Sequence, residues 1–173
     1  MTETMRSLEL VRIEAGLHDW ASMACGCSSG TNRYPAEHIP RDLIRLLEGN
    51  PRDDLDADWA ENHALIQSNL MEPAVATASL TLAALAGRPP VGVRKDLLHL
   101  LLLLACGEQD DLADACLDVA RQGVWLYYEE LAAFEMVGAS AEAYELLSLM
   151  DEQAERLAAY HRVYRDRLPS DLR

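Results

Sequence analysis

The sequence predicts an all-α protein of about seven to nine helices, arranged as stacked antiparallel pairs or as a compact bundle. Half of the 173 residues are hydrophobic but only 6% are aromatic. Leu and Ala, both strong helix formers, dominate the composition, while the residues that favour strands are scarce. Glycines and prolines recur at nearly even intervals, which is typical of short helices joined by tight turns. We expect one domain, residues 1–173.

Glycines end most of the predicted helices, and Pro40 and Ser140 each begin one. A short helical turn at Asp19–Ala24 and a loop at Gly26–Ile39 interrupt the series. The predicted helices are Glu3–Ala15, a helix from Pro40 to Gly49, one from Asp53 or Asp54 to about Gln67, Glu72–Ala86, Val93–Cys106, Asp110–Gln122, Val124–Val137, and a last helix from Ser140 to about Arg165 with Pro169 beyond it.

The segment Val93–Cys106 is the most apolar part of the chain, and its leucines cover every side of a helix. A helix that is hydrophobic all round has to be buried. We therefore expect this helix to form the centre of the fold.

The net charge of −14 and the pI near 4.6 argue against binding to nucleic acid, whose phosphates require a basic surface. They argue equally against anionic membranes, and the longest apolar run, Leu100–Cys106, is too short to cross a bilayer. The first ten residues do not resemble a signal peptide. We expect a cytoplasmic protein without a membrane or nucleic-acid partner.

A family resemblance adds to this prediction. The residues that carry it are Asp19-Trp20, Gly26, Ile39-Pro40, Leu43, Leu46-Leu47, Gln67, Ala74, Leu97-Leu98, Leu103-Leu104-Ala105 and the segment from Cys116 to Tyr128. In this order they resemble bacterial HEAT-like helical-repeat proteins of the kind found as immunity proteins of toxin systems. The successive two-helix units of roughly 30–40 residues fall in the HEAT range. The chain departs from the pattern after Gln67, where Ser68-Asn69 replaces the usual Gly. The resemblance implies a HEAT-like fold and a role in neutralising a toxin.

Two common catalytic motifs are absent from the sequence. It has no glycine-rich phosphate loop and no His-Glu-x-x-His. The acidic run from Asp54 to Asp58 resembles the start of a calcium loop, but Trp59 and Leu65 occupy positions where that loop needs Gly and Glu. We expect no catalytic residue, no cofactor and no bound metal.

The strongest metal candidate is the Cys25-Gly26-Cys27 loop, whose two thiols could share a zinc ion with His18 or His38. Structural zinc sites usually combine a Cys-x2-Cys pair with a second pair of ligands, and this loop has neither. The pattern favours a flexible loop with free thiols. A small helical metal-binding enzyme using this loop stays as an alternative.

The second half of the chain is strongly acidic. Between Gly107 and Glu155 it has thirteen acidic residues and a single basic one, Arg121. We expect these charges to form no internal salt bridges and to face water or a basic partner, with an aromatic anchor among them. The predicted partner-binding residues are Asp110, Asp111, Asp114, Trp125, Tyr127, Glu129 and Glu130.

The leading hypothesis is therefore an immunity-type protein that binds a basic toxin domain, secreted or delivered by contact, and occludes its active site. Carboxylates would take the place of substrate phosphates in that contact. The alternatives are a helical scaffold or adaptor without a toxin partner, for which the acidic surface only maintains solubility, and the metal-binding enzyme.

Overall fold

A computed structural model of the chain describes residues 3–27, 33–49 and 59–173 and confirms the all-α prediction. Within these residues there are eight α-helices and one small sheet. The helices are α1 (Glu3–Ala15), α2 (His38–Leu47), α3 (Ala74–Ala86), α4 (Val91–Ala105), α5 (Asp110–Arg121), α6 (Val124–Ala133), α7 (Val137–Ser148) and α8 (Ala154–Tyr164). The strands β1 (Leu65–Ile66) and β2 (Asn69–Leu70) form an antiparallel hairpin in which Leu65 pairs with Leu70. None of these helices is long and apolar enough to cross a membrane.

The leucine-rich helix lies at the centre, as the sequence predicts. Helix α4 packs against α3, α5 and α7, and it buries five leucines: Leu97, Leu98, Leu100, Leu101 and Leu104. Helix α1 packs against α2 and α3, and helix α7 packs against α6 and α8. The buried side chains of these helices form one connected hydrophobic core.

Close helix contacts depend on small residues at two places. A Cβ atom at Gly87 would lie 2.3 Å from the backbone nitrogen of Ser7, so α1 can pack on the end of α3 only because Gly87 has no side chain. A Cβ atom at Gly107 would similarly overlap Leu70. The hairpin therefore rests directly on the turn between α4 and α5.

The predicted helix from Asp53 or Asp54 to Gln67 is wrong over its described part. Residues 59–64 form turns and lead into β1, and residues 53–58 lie outside the described residues, together with the carboxylates of the rejected calcium loop. Asn62 and Gln67 have φ angles of 62° and 58°, a left-handed conformation that interrupts a helix. Trp59 and Ala64 are buried in these turns. The two-residue strands β1 and β2 were not predicted either.

The last two predicted helices are shorter than expected. Helix α6 ends at Ala133 because Phe134 adopts a left-handed φ of 50°. The predicted helix Ser140–Arg165 is two helices, α7 and α8, separated by a 3-10 turn at Asp151–Gln153. Met150, in an extended conformation just before this turn, is buried in the core. Its apolar side chain thus accounts for a break that helix propensity alone does not predict.

A candidate metal centre

Four metal-ligating side chains converge near the N-terminal end of the fold. They are Cys25, Cys27, His38 and His63, and their ligand atoms all lie within 4.8 Å of one another. The cysteines follow α1, His38 is the first residue of α2, and His63 belongs to the turns before β1. Three separate segments of the chain therefore meet at one point.

The distances from the Cys25 sulfur to the two imidazoles are close to those of a tetrahedral site. The sulfur of Cys25 lies 3.5 Å from Nε2 of His38 and 3.2 Å from Nδ1 of His63. Zinc bond lengths of 2.0–2.3 Å with tetrahedral angles place ligand atoms about 3.3–3.8 Å apart. The two sulfurs, at 2.9 Å, would have to separate by about 0.9 Å to reach the same spacing. Since Cys27 is exposed, a small rotation of its side chain is sterically open.

Backbone hydrogen bonds hold the cysteine loop in this position. The N–H of Cys25 donates to the carbonyl of Tyr34 at 2.8 Å, and the N–H of Gly26 donates to the carbonyl of His63 at 2.8 Å. A Cβ atom at Gly26 would lie 2.9 Å from that carbonyl oxygen and 3.1 Å from the carbonyl oxygen of Asn62. Gly26 is therefore the residue that lets the loop approach His63 closely.

Further contacts fix the loop and the hairpin to the body of the protein. The carboxylate of Glu72 accepts the N–H of Ala24 at 2.6 Å and lies 2.6 Å from the guanidinium of Arg33. The N–H of Ala24 and the positive charge of Arg33 lower the pKa of Glu72 below its ordinary value. On the other side, Gln109 accepts the N–H of Leu70 through Oε1 at 2.5 Å. These contacts therefore hold the cysteine loop and the end of β2 in place.

The electrostatic environment favours a bound cation over a reactive thiol. Cys25 is only 2% exposed, and burial together with its hydrogen bond to Cys27 raises the pKa of its thiol to about 12. A nucleophilic cysteine needs a lowered pKa, so Cys25 is poorly suited to covalent catalysis despite the imidazole beside it. A divalent cation would instead stabilise the thiolate directly.

The centre agrees only partly with the sequence analysis. Cys25, Cys27 and His38 come together, whereas His18 bonds to Glu14 at 3.0 Å and stays outside the cluster. His63 was missed as a ligand because it falls in the segment wrongly predicted to be helical. Its distance along the chain from the cysteines matches no zinc motif, so only the left-handed turn at Asn62 and the close approach of Gly26 place it in the cluster.

Two of the predicted partner-binding residues are buried, which corrects that prediction. Tyr127 is fully buried, and its hydroxyl donates to the carbonyl of Ala120 at 2.8 Å. Glu130 is 6% exposed, and its carboxylate accepts Nε of Arg94 at 2.8 Å. Both side chains point inward because α6 packs this face against the core. Neither can contact a partner without unfolding of the helix.

The other five predicted residues, Asp110, Asp111, Asp114, Trp125 and Glu129, are exposed. Asp110, Asp111 and Asp114 lie in the first half of α5. Trp125 lies in α6 and is 64% exposed. Its ring lies under the guanidinium of Arg156 at 4.9 Å.

The acidic half of the chain does form internal ion pairs, contrary to expectation. Their cations come from α4, from the turn before it and from α5. Arg94 pairs with Glu130 and Glu135, Arg88 pairs with Glu129 and Glu135, and Arg121 pairs with Asp118 and Glu152. Counting charges within the window 107–155 overlooked Arg88 and Arg94, which precede it in sequence and are adjacent to it in space. Asp110, Asp111 and Asp114 make no ion pair with described residues.

Comparison of the chain with protein-family models, with curated proteins and with solved structures finds no match in any of the three.

Proposed function

We propose that this protein binds one zinc ion through Cys25, Cys27, His38 and His63, and that the ion serves a structural role. The observation that carries the proposal is the convergence of four ligand atoms from three chain segments within 4.8 Å. Such a convergence satisfies the requirement for a closed four-coordinate site. The ion would join the cysteine loop, α2 and the hairpin segment into one unit.

The chemistry of the ligands favours zinc over other divalent metals. Two thiolates and two imidazoles in a tetrahedral arrangement suit zinc, whereas calcium and magnesium prefer oxygen ligands in larger shells. With all four positions taken by protein, the ion has no open position for water or substrate. This supports a structural metal rather than a hydrolytic enzyme.

Metal analysis of the purified protein tests the proposal. We expect about one equivalent of zinc per chain, lost in Cys25→Ser and in His63→Ala. Cys106→Ser and His18→Ala are the matched controls, because Cys106 is an exposed thiol and His18 an imidazole outside the cluster. The proposal fails if the wild-type protein, prepared with zinc and without chelator, holds no more metal than Cys25→Ser.

A second candidate function is binding of a basic protein partner, such as a toxin domain, as an immunity-type protein. The observation that favours it is the exposure of Trp125, since exposed tryptophans are enriched at interface hot spots. The unpaired carboxylates of Asp110, Asp111 and Asp114 add an attraction for positive charge. Asp110 and Asp111 also have a local explanation, because acidic residues in a first helical turn interact favourably with the helix dipole.

Titration calorimetry against basic domains encoded in neighbouring reading frames tests the second candidate. Reversal of charge in Asp110→Lys with Asp114→Lys should weaken binding at least tenfold and flatten its salt dependence. Glu9→Lys with Asp19→Lys is the control with the same change in net charge, because Glu9 and Asp19 are exposed acidic residues without an ion pair among the described residues. Equal losses in the control and the α5 variant would mean that only net charge matters. Absence of binding to every such domain would leave the zinc proposal unaffected.

A further inference from the structure

Cys25 and Cys27 are arranged for reversible oxidation as well as for metal binding. Their sulfurs lie 2.9 Å apart. This separation is about 0.9 Å shorter than two thiolates on one zinc ion and about 0.9 Å longer than a disulfide bond. The S–S distance is therefore intermediate between that of two zinc-bound thiolates and that of a disulfide bond, and a small movement of the side chains would produce either.

The two thiols differ in access to solvent. Cys27 is exposed and Cys25 is buried. An oxidant from solution therefore meets Cys27 first, and Cys25 is positioned to resolve the oxidised sulfur. An exposed sulfur next to a resolving thiol is the usual arrangement of a redox-sensing cysteine. Cys106, which is exposed, and Cys116, which is buried, do not have this arrangement. Neither belongs to a group of metal ligands among the described residues.

On this basis we propose that the zinc centre is a peroxide-sensitive switch, an inference that rests on the proposed zinc binding. The Cys27 thiolate attacks one oxygen of hydrogen peroxide, the O–O bond breaks, and hydroxide leaves to become water on protonation. The sulfenic acid at Cys27 is then attacked by the Cys25 thiolate. An S–S bond forms, the S–O bond breaks, and the second oxygen leaves as water after taking up a proton. Overall, two thiolates are oxidised by one electron each, and peroxide takes up two electrons and two protons.

Oxidation would remove both anionic ligands of the metal. Two neutral imidazoles, His38 and His63, remain, and they bind zinc far more weakly than a site that includes two thiolates. The ion would then leave, and the cysteine loop would no longer be joined through the metal to α2 and the hairpin segment. A thiol reductant regenerates the two thiolates and allows zinc to rebind.

Loss of the metal would leave many other contacts of the protein in place. Hydrogen bonds of the loop to Tyr34, and of Glu72 to the loop and Arg33, do not involve the metal. None of the four ligands belongs to the helices α3 to α8. We therefore expect oxidation to loosen the region before α3 and to leave the remaining helices folded.

The test uses zinc-loaded full-length protein in which Cys106 and Cys116 are replaced by serine, so that only the site thiols remain. A chromophoric chelator reports zinc release on addition of hydrogen peroxide, and mass spectrometry reports the thiols. We expect about one equivalent of zinc to be released together with the loss of two thiols and two hydrogens per chain, and dithiothreitol to restore both. The wild-type protein should behave in the same way, which guards against a folding defect in the serine variant.

Three outcomes would overturn the switch. Zinc could stay bound under peroxide that oxidises free thiols, or it could leave without a disulfide linking Cys25 and Cys27, or oxidation could be irreversible through sulfinic acid. Failure of the zinc proposal looks different, because the protein then contains no zinc before peroxide is added. Metal content measured at the start thus separates the two failures.

Discussion

Nε of Arg94 donates to Oε2 of Glu130 at 2.8 Å inside the protein, and the two side chains are each only 8% exposed. The pair connects α4, the central helix, to α6. Burial alone would lower the pKa of Arg94, but its hydrogen bonds to Glu130 and Glu135 outweigh burial and raise that pKa. Arg94 also donates to the carbonyl of Pro89 at 2.9 Å. One cation thereby satisfies three acceptors from two regions of the chain.

Removal of the carboxylate of Glu130 should destabilise the protein strongly. In Glu130→Ala the guanidinium of Arg94 stays buried with Glu135 as its remaining carboxylate partner, and we expect a cost of about 2–3 kcal/mol. The adjacent residue gives the control, because Glu129 is exposed and its pair with Arg88 lies at the surface. Glu129→Ala should cost no more than about 1 kcal/mol. Urea unfolding followed by circular dichroism measures both, and similar losses in the two variants would contradict the assignment of a buried pair.

A methyl group at Gly26 should weaken the metal centre. In Gly26→Ala the new Cβ meets the backbone carbonyls of Asn62 and His63, so the cysteine loop has to move away from His63. We expect zinc affinity, measured by chelator competition, to fall at least tenfold, about 1.4 kcal/mol. Gly92→Ala is the control, because a Cβ at Gly92 in α4 meets no atom within 4 Å. An unchanged affinity in Gly26→Ala would show that the close approach does not determine the site.

Truncation of Tyr127 should destabilise the protein much more than truncation of Trp125. Tyr127→Ala removes a fully buried ring and its hydrogen bond to Ala120, at a cost of about 3–5 kcal/mol. Trp125→Ala removes an exposed ring whose described cation contact is Arg156, which contributes no more than about 1 kcal/mol. Thermal or urea unfolding compares them. A large loss of stability in Trp125→Ala would mean that Trp125 supports the fold, and it would weaken the case for a partner-binding role.

Stability of the zinc-free protein should fall at alkaline pH. Burial raises the pKa of Cys116 from 9.0 to about 12. Above pH 9 the unfolded chain releases this proton while the folded protein retains it, so the unfolded state binds fewer protons and stability decreases. The contribution of Cys116 is fully present below pH 9 and is lost between pH 9 and 12, at roughly 1 kcal/mol per pH unit.

The variant Cys116→Ala isolates this contribution. Urea unfolding at several pH values from 8 to 11 should give a shallower decline in Cys116→Ala than in the zinc-free wild-type protein. Part of the decline should remain, since burial also raises the pKa of Cys25 to about 12 and raises that of Tyr127. Identical pH profiles in the two proteins would show that Cys116 is not held in its neutral form by burial.

Much of the fold could be predicted because helix formation depends largely on local pattern. The leucines from Leu97 to Leu104 cover all sides of a helix, and α4 is buried at the centre. Helix ends that depend on glycine, such as those near Gly87 and Gly107, also fell close to their predicted places. The segment before α3 escaped prediction because its mixture of apolar and polar residues also suits an amphipathic helix. The left-handed backbone of Asn62 and Gln67 and the burial of Trp59 and Ala64 decided in favour of turns.

The acidic surface shows the limit of charge counting along the chain. Arg88 and Arg94 lie before the acidic window in sequence, and folding brings them against Glu129, Glu130 and Glu135. Similarly, a run of three aromatic residues in four positions shows that one must point outward, but not which one. Helix α6 turns Trp125 to solvent and buries Tyr127 and Tyr128.

By itself, the sequence determined the all-helical class, the central leucine-rich helix and the strongly negative net charge. These follow from residue propensity, hydrophobic periodicity and net charge, which are properties of short windows or of the whole composition. Only the tertiary structure decided that Cys25, Cys27, His38 and His63 lie together and that Glu130 is buried against Arg94. Contacts between residues some 10 to 40 positions apart depend on how segments pack and turn, and no local pattern records that.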